Sequence, residues 1–389
     1  MAKFDRFAVS RSMQQIFSRG GNMADNAAER RNVIINGDFD VAQRGIHFPD
    51  PGEGYTVDRF FYERESESSA RFDISRVTDA PAAADCGGKC LHSLKISCST
   101  PSSAGPDHYA AVYYFVEGYD VRALVGAAAT LSFWVKGNQP GTYCVAVRNG
   151  DLSRSFVSEY TVDTAATWKR VIVTLPLEEL ALDAASNEGK YTNGRGLAIT
   201  WTLFAGVDRH TVTAGAWVPE KVMATANQQN LAAGTGGMLQ LARVQLESGD
   251  VATTFEPRAF SDELKLCRRY FEKSFAHDVT PADFAPNDRN RCVVVATALE
   301  AERIYTTEVR FAVPKRTPPP VIVFYSGNLS DTGSAGLWEF HDDGWKASDT
   351  TYDWGSTENG FSAFLEKPGA LETHRSYLVF GNWSVDTEL

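Results

Sequence analysis

In the run ATLSFWVKG (129–137), Leu131, Phe133 and Val135 fall on one side of an extended chain and Ser132, Trp134 and Lys136 on the other. Alternation with a period of two marks a strand that buries one face. Comparable runs recur from residue 32 to residue 257. They include RFFYER (59–64), RFDISRV (71–77), LHSLKISCS (91–99), YAAVYYFV (109–116), TYCVAVRNG (142–150), SFVSEYTV (155–162), WKRVIVTLP (168–176), LAITWTLFAG (197–206) and MLQLARVQLESG (238–249). Turn residues separate them and no helical pattern intervenes. A chain written this way predicts a two-sheet antiparallel sandwich of jelly-roll type. Its Asn/Gly/Ala-rich connections at 177–195 and 219–236 are long enough to be functional or mobile.

The period changes at FSDELKLCRRYFEKS (260–274). Leu264, Cys267 and Phe271 form one helical stripe, with Leu266 and Tyr270 beside it. Ser261 is the expected N-cap, followed by Asp262 and Glu263 where the helix dipole favours acid. A helix apolar over so much of its girth belongs between domains or between copies of the chain. Leu264, Leu266, Tyr270 and Phe271 are therefore the expected oligomer contacts. Further strand-like runs follow, RCVVVATAL (291–299), YTTEVRFAVP (305–314), PVIVFYSG (320–327), FSAFLEK (361–367) and SYLVFGNWSV (376–385), with Pro318, Pro319 and Pro320 at a sheet edge or strand start. The predicted class is mainly β. An N-terminal arm (1–31) precedes the jelly roll (32–258), a short connecting helix (259–275) and a smaller C-terminal β-sandwich domain (276–389). Two domains suit a length of 389 residues.

The formal charge of −11 argues against a nucleic-acid binder, which needs a basic face to displace counterions. Charge is uneven. Residues 1–31 hold six Lys/Arg against three Asp/Glu, so the rest of the chain carries the acidity. A basic arm on an acidic body suggests docking on another protein, or a merely solvated tail. Its FDRFAVSRSMQQIFSRG stretch (4–20) fits a short amphipathic helix with Phe4, Phe7, Met13, Ile16 and Phe17 as attachment residues. No apolar run is long enough to span a membrane, and the start lacks a signal-peptide core, so synthesis in a cytoplasm is expected. Six reduced cysteines follow from that, although Cys86 and Cys90, the one close pair, could join in a loop disulfide after release from the cell. No zinc or calcium motif and no cofactor motif is visible, and no nucleophile elbow, HExxH or P-loop.

The opening NVIINGDFDVAQRG (32–45) followed by YTVDRFFYER (55–64) resembles the start of a family of tailed-bacteriophage fibre and receptor-binding proteins. LSFWVKG, ATWKRVIVTLP, LARVQLESGDVATTFEPRAFSDELKLCRRYFEKS, VRFAVPKRTPPPVIVFY and the final WSVDTEL are similar to later parts of the same pattern. The likeness covers most of residues 32–389. It implies a carbohydrate-binding-module-like jelly roll in a homotrimeric virion appendage, a tail or collar fibre. Such an appendage attaches to other virion proteins through residues 1–31 and recognises a bacterial surface polysaccharide. Read from the residues themselves, the opening stretch is architecture: Asn36-Gly37 supplies a turn, Val33, Ile35, Phe39 and Val41 supply core contacts, and Asp58 with Arg59 could pair nearby.

Sugar recognition needs aromatic faces and hydroxyl-binding polar groups rather than a catalytic set. Trp338, Trp345, Tyr352 and Trp354, among Asp342, Asp343 and Asp353, are the candidate glycan-binding residues; core packing or trimer contacts explain these aromatics about as well. EFHDDGW (339–345) reads as an exposed turn ahead of Gly344 or a cation site. Trp201, Trp217 and Tyr191 near the long loops form a second candidate surface, although sandwich core or rim is the ordinary reading for them. The expected function is a non-enzymatic virion subunit binding a host glycan. The alternatives are a purely structural collar or adaptor protein and, less favoured, a glycan depolymerase.

Overall fold

The computed structural model describes residues 31–180, 192–285, 292–327, 334–369 and 371–389. The chain divides into two units, Met1–Arg31 and Asn32–Leu389. The arm residues Phe4, Phe7, Met13, Ile16 and Phe17, and Tyr191, lie outside the described residues.

The second unit opens with an antiparallel jelly-roll β-sandwich. One sheet runs, in spatial order, His47–Phe48, Arg71–Val77, Ser93–Thr100, Met238–Ser248, Ala128–Gly137 and Lys169–Pro176. The other runs Trp217–Val218, Ser155–Val162, Gly141–Asn149, Arg195–Ala205, Tyr109–Glu117, Phe60–Arg64 and Glu53–Tyr55. The alternating residues meet between them: Phe72, Ile74, Leu94, Leu131, Phe133, Val135 and Leu241 from the first sheet, Phe60, Tyr114, Val145, Ile199 and Trp201 from the second. Trp201 stands edge-on to Phe133 at 5.7 Å, deep in this core, and Trp217 is also buried.

The opening stretch forms no strand, contrary to its apolar pattern. It is an extended segment pinned by side chains. The Asn32 carboxamide oxygen accepts from the amides of Ile34 (3.0 Å) and Leu246 (3.1 Å). Asn36, at φ 62°, donates through Nδ2 to the carbonyls of Val41 and Asp58. Gly37 must be glycine, since a Cβ there would lie 2.1 Å from the Val244 carbonyl oxygen. The long strand bulges between Ala242 and Gln245, and the Asn36-Gly37 turn docks into that bulge through the Val244 amide. Val33 and Phe39 enter the sandwich core, whereas Ile35 and Val41 pack with Cys267 and Tyr270 in a separate cluster. Asp58 and Arg59 do not pair with each other. Asp58 accepts from the Gln43 amide and its Nε2, and Arg59 turns the other way.

Beside this turn, burial raises the Asp38 carboxyl to about 6 from 3.8, against the opposing pull of Arg243 and a Cys90 hydrogen bond. A folded value above the unfolded one means that the folded state holds the proton more tightly. The stability this contributes is complete below about pH 4 and is lost as pH rises through about 6. Asp38→Asn is therefore expected to stabilise the protein by about 1–3 kcal/mol at about pH 8 and negligibly at about pH 4, compared by urea denaturation at both values.

The connecting helix is shorter than its sequence pattern. It spans Phe260–Arg268 with Ala259, not Ser261, at the N-cap. The Glu263 carboxylate, which accepts from the Asn36 amide and pairs with Arg258, anchors its first turn. Tyr270 and Phe271 leave the helix because each has a fixed partner. The Tyr270 hydroxyl donates to Glu117, and Phe271–Lys273 forms a strand on the ladder of Ser376–Asp386. Both residues are buried within their own chain, and Leu264 and Leu266 are half-buried against Ile35, Val41 and Leu389. Tyr270 and Phe271 are thus unavailable as oligomer contacts, a correction to the sequence reading.

The C-terminal sheet folds over its own core of Ile304, Trp338, Phe340, Phe361, Leu365, Val379, Trp383 and Val385. Its organiser is Ser376–Asp386. The first half of that strand pairs with Cys292–Glu300 and Glu339–His341. The second half pairs with Phe271–Lys273 and Ile322–Tyr325, the latter beginning just after the three prolines.

The expected division at residue 259 does not separate the chain into compact units, since Asn32–Leu389 is one; buried charge joins the jelly roll to the C-terminal sheet. Arg59 pairs with Glu388, donates to the Phe115 carbonyl at 2.7 Å, and lies 3.5 Å from the centre of the Tyr270 ring. Arg44 reaches Asp386 (2.7 Å) and stacks on Phe271 at 3.9 Å. Glu117 of the jelly roll accepts from Arg269 and Tyr270.

Candidate functional site

The predicted aromatic group at 338–354 does not act as one surface. Trp338 is 0% exposed, with its indole N–H donating to the Asn382 carbonyl at 2.9 Å, so it cannot stack on a sugar. Trp345 is half-buried, edge-on to His341 and Phe380. EFHDDGW is a hairpin: Glu339–His341 pairs with Trp345–Ala347, and Asp343 at φ 50° takes the turn. Asp342 is committed to Lys346 (2.7 Å) and Arg375 (2.9 Å), which hold its carboxyl below the ordinary range. Asp343 and Asp353 are exposed. Tyr352 (48% exposed) and Trp354 (63%) do lie on the surface. They stand on Thr350–Ser356 and meet Phe364 and Tyr305 of the next two strands, at 5.1 Å for Tyr352–Phe364 and 5.3 Å for Trp354–Tyr305. The register Tyr352–Phe364–Tyr305 makes an aromatic stripe across three strands. The same outward face continues into Val293, Val295 and Leu378, all exposed.

A concave site forms elsewhere, on the outer face of the second jelly-roll sheet. The run YAAVYYFV is apolar on both faces: Val112, Tyr114 and Val116 enter the core, while Tyr109, Ala111, Tyr113 and Phe115 point outward. Register places Phe61 beside Tyr113, and Phe115 in line with Ala198 and Arg148. The 219–236 connection lies over part of this face and buries Val222, Met223 and Ala224 against it. What stays open is a groove of about 360 Å³, lined by Glu53, Phe61, Glu63, Tyr109, Tyr113, Phe115, Arg148, Arg195 and Arg209 with Leu152, Met223 and Leu389. That volume lies within the range of small-ligand sites.

Tyr113 and Phe115 form its buried floor, stacked at 5.8 Å and 20°, and Phe61 and Tyr109 are its half-exposed walls. The Tyr109 hydroxyl donates to Glu63 at 2.8 Å. Burial, and then the Glu63 charge, raise both the Tyr109 and the Tyr113 phenols, so both stay protonated donors. Arg195 lies 5.3 Å from the Phe115 ring and Arg209 4.9 Å from Tyr109. Aromatic faces bordered by guanidinium, hydroxyl and carboxylate suit a ligand with apolar faces and many hydroxyls.

None of these groove residues was singled out from sequence. The available signal was the strand apolar on both sides, unusual in an antiparallel sheet with one solvent face. A larger cavity of about 500 Å³ lies beside Asp40, Ile46, Leu91, His92, Phe260 and His277, but its His92–Asp40 pair is already formed at 2.7 Å. Cys86 and Cys90 are free thiols with different partners: Cys86 faces the carbonyls of Ala82 and Gly88, Cys90 faces Asp38, and burial pushes the Cys90 thiol up to about 12. Among the described residues no group of three His, Cys, Asp or Glu is placed to hold a metal, and no helix is long and apolar enough to cross a membrane.

No family model and no curated protein matches the chain. Similar solved structures include the enzymatically active domain of bacteriophage CBA120 tailspike protein 4 (10% identity, TM-score 0.30, covering 56% of this chain and 21% of that one). A putative sugar-binding protein from Bacteroides thetaiotaomicron aligns at 10% identity and TM-score 0.32, over 56% of this chain and all of its own. A family 11 carbohydrate-binding module from Clostridium thermocellum, in complex with a β-1,3-1,4-mixed-linked tetrasaccharide, aligns at 13% identity and TM-score 0.28, over 52% of this chain and 98% of its own.

Proposed function

We propose that this chain is a non-enzymatic, glycan-recognising subunit of a phage virion appendage, a homotrimeric tail or collar fibre held to other virion proteins by residues 1–31. The observation that carries the glycan part is the groove on the outer jelly-roll face, where Phe61 and Tyr109 border a concave surface with convergent polar groups. The virion part rests on the sequence resemblance of residues 32–389. Neither reading calls for a cofactor, nucleic acid or membrane insertion.

The test is binding of the full-length protein to bacterial cells and their extracted surface polysaccharides, alongside Tyr109→Ala and Trp354→Ala variants. Saturable binding lost in Tyr109→Ala and kept in Trp354→Ala is expected. Loss only in Trp354→Ala would move the site to the C-terminal stripe.

One observation favours the purely structural collar or adaptor reading: the exposed Val293, Val295 and Leu378 beside Tyr352 and Trp354 give the C-terminal sheet an apolar outer face of the kind that assembly covers. Absence of glycan binding by folded protein would favour that role.

A further inference from the structure

We infer that the groove selects a saccharide carrying a carboxylate, with Arg148 and Arg195 as its anchors. The inference rests on the glycan reading of this groove and adds the charge of the sugar.

Arg148 is 6% exposed, yet it forms no ion pair among the described residues, and neither does Arg195. A buried guanidinium ordinarily has a carboxylate partner, because removing its charge from water is costly. Each of these two has one protein acceptor, and both acceptors belong to the same turn. Arg148 Nη2 donates to the Leu152 carbonyl at 3.3 Å, and Arg195 Nε donates to the Gly150 carbonyl at 2.7 Å. Holding that turn leaves most of the guanidinium donors unused. Arg148 Nε is buried with no partner at all, and Arg148 lines the open groove. Burial lowers the Arg148 value, and the neighbouring Arg195 charge lowers it further, against the opposing pull of Tyr113 and Glu63. Two cations side by side, neither in an ion pair among the described residues, line a groove open to an anion.

The acidic groups of the groove form no ion pair with either cation, although the Glu63 charge acts on both from a distance. Glu63 is occupied by the Tyr109 hydroxyl and lies in register with Glu53 on the neighbouring strand. These two carboxylates line up beside Ala111, whereas Arg148 lines up with Ala198 and Phe115, two residue rows away along the sheet. Glu53 and Glu63, with Arg209 over Tyr109, thus occupy one end of the groove, and the Arg148–Arg195 donor pair the other. A guanidinium fork matches a carboxylate bidentately, and the half-exposed Phe61 wall over the buried Tyr113 offers the pyranose an apolar surface.

The experiment is calorimetric titration of the full-length protein with oligogalacturonate, oligoglucuronate and oligosialate, each beside its methyl ester. The esters keep the ring and hydroxyls and remove the charge. At least one acid is expected to bind, its ester to bind at least about tenfold more weakly, and added salt to weaken the acid selectively. Arg195→Gln, at a half-exposed position, and Arg148→Gln are each expected to reduce acid affinity by about 10- to 100-fold. Arg148→Lys, which keeps the charge without the fork, should recover only part. Melting curves establish that the variants fold.

Equal binding of acid and ester, or unchanged acid binding in folded Arg195→Gln, overturns the acidic-sugar inference and leaves the glycan groove standing. If no acid binds while neutral polysaccharides do, and do so through Tyr109, the inference fails in the same way. Absence of binding to every acidic and neutral saccharide overturns both.

Discussion

Replacing Glu388 by alanine is expected to cost about 3–5 kcal/mol, a large share of the stability of a domain-sized protein. The reason lies with its partner. Arg59 is 1% exposed and sits between the jelly roll and the C-terminal segment, facing Glu388, the Phe115 carbonyl and the Tyr270 ring. Its Nε already lacks a partner. Without Glu388 a buried guanidinium is left with a carbonyl and a π-face as its compensation. The pair itself is worth much less than its breaking, because both ions lost their hydration to form it. A double variant, Arg59→Met with Glu388→Leu, should therefore recover most of the loss. Urea denaturation followed by tryptophan fluorescence measures both. A single-variant loss below about 1 kcal/mol would mean that water reaches the pair and screens it, as at exposed ion pairs.

Trp338→Ala should destabilise the protein by a similar amount, about 3–5 kcal/mol, through the cavity it leaves. Trp338 packs edge-on to Phe324 at 5.3 Å and touches Phe361, and its N–H is satisfied by Asn382. The fit is close enough that a Cβ on Gly381 would lie 2.1 Å from the indole, so Gly381→Ala should be damaging as well. Trp354→Ala, at a residue 63% exposed, should change stability by less than about 1 kcal/mol. Thermal melts separate these cases. Where the Trp338 variant still folds, groove binding should be largely intact, because Trp338 is not among the residues lining the groove, although Leu389 beyond the same sheet is. A melt unchanged in Trp338→Ala would place that indole outside the core.

These contrasts mark where the sequence was readable. Strand runs with clear alternation, such as ATLSFWVKG and RFDISRV, became strands with the expected faces inward, because period two and burial of one face are the same fact. The helix at 260–274 lost its last turn because ladder pairing with Asp386, distant in sequence, outcompeted local helical spacing. NVIINGDFDVAQRG was legible as architecture but not as a plug for the bulge at Val244, since a bulge has no sequence mark of its own. Among the aromatics at 338–354, spacing alone could not separate the buried Trp338 from the exposed Trp354; they stand by different strands, Trp338 leading into Glu339–His341 over the core and Trp354 on Thr350–Ser356, paired with Gly360–Glu366, on the outer face. The groove was least legible of all. Phe61, Tyr113, Phe115, Arg148 and Arg195 come from four strands, and register alone unites them.

The charge pair at the domain junction also sets an order of events during synthesis. Arg59 leaves the ribosome 329 residues before its carboxylate partner. The jelly roll is complete by Ser248 and free to collapse as a nascent domain, yet it must do so with Arg59 still uncompensated. A chain interrupted anywhere in the C-terminal sheet would therefore carry a jelly roll weakened at the buried Arg59. Such a fragment is more open to proteolysis than a chain that includes Glu388. Glu388 thus closes the jelly roll's buried charge from 329 residues downstream, late in synthesis relative to the strands it steadies.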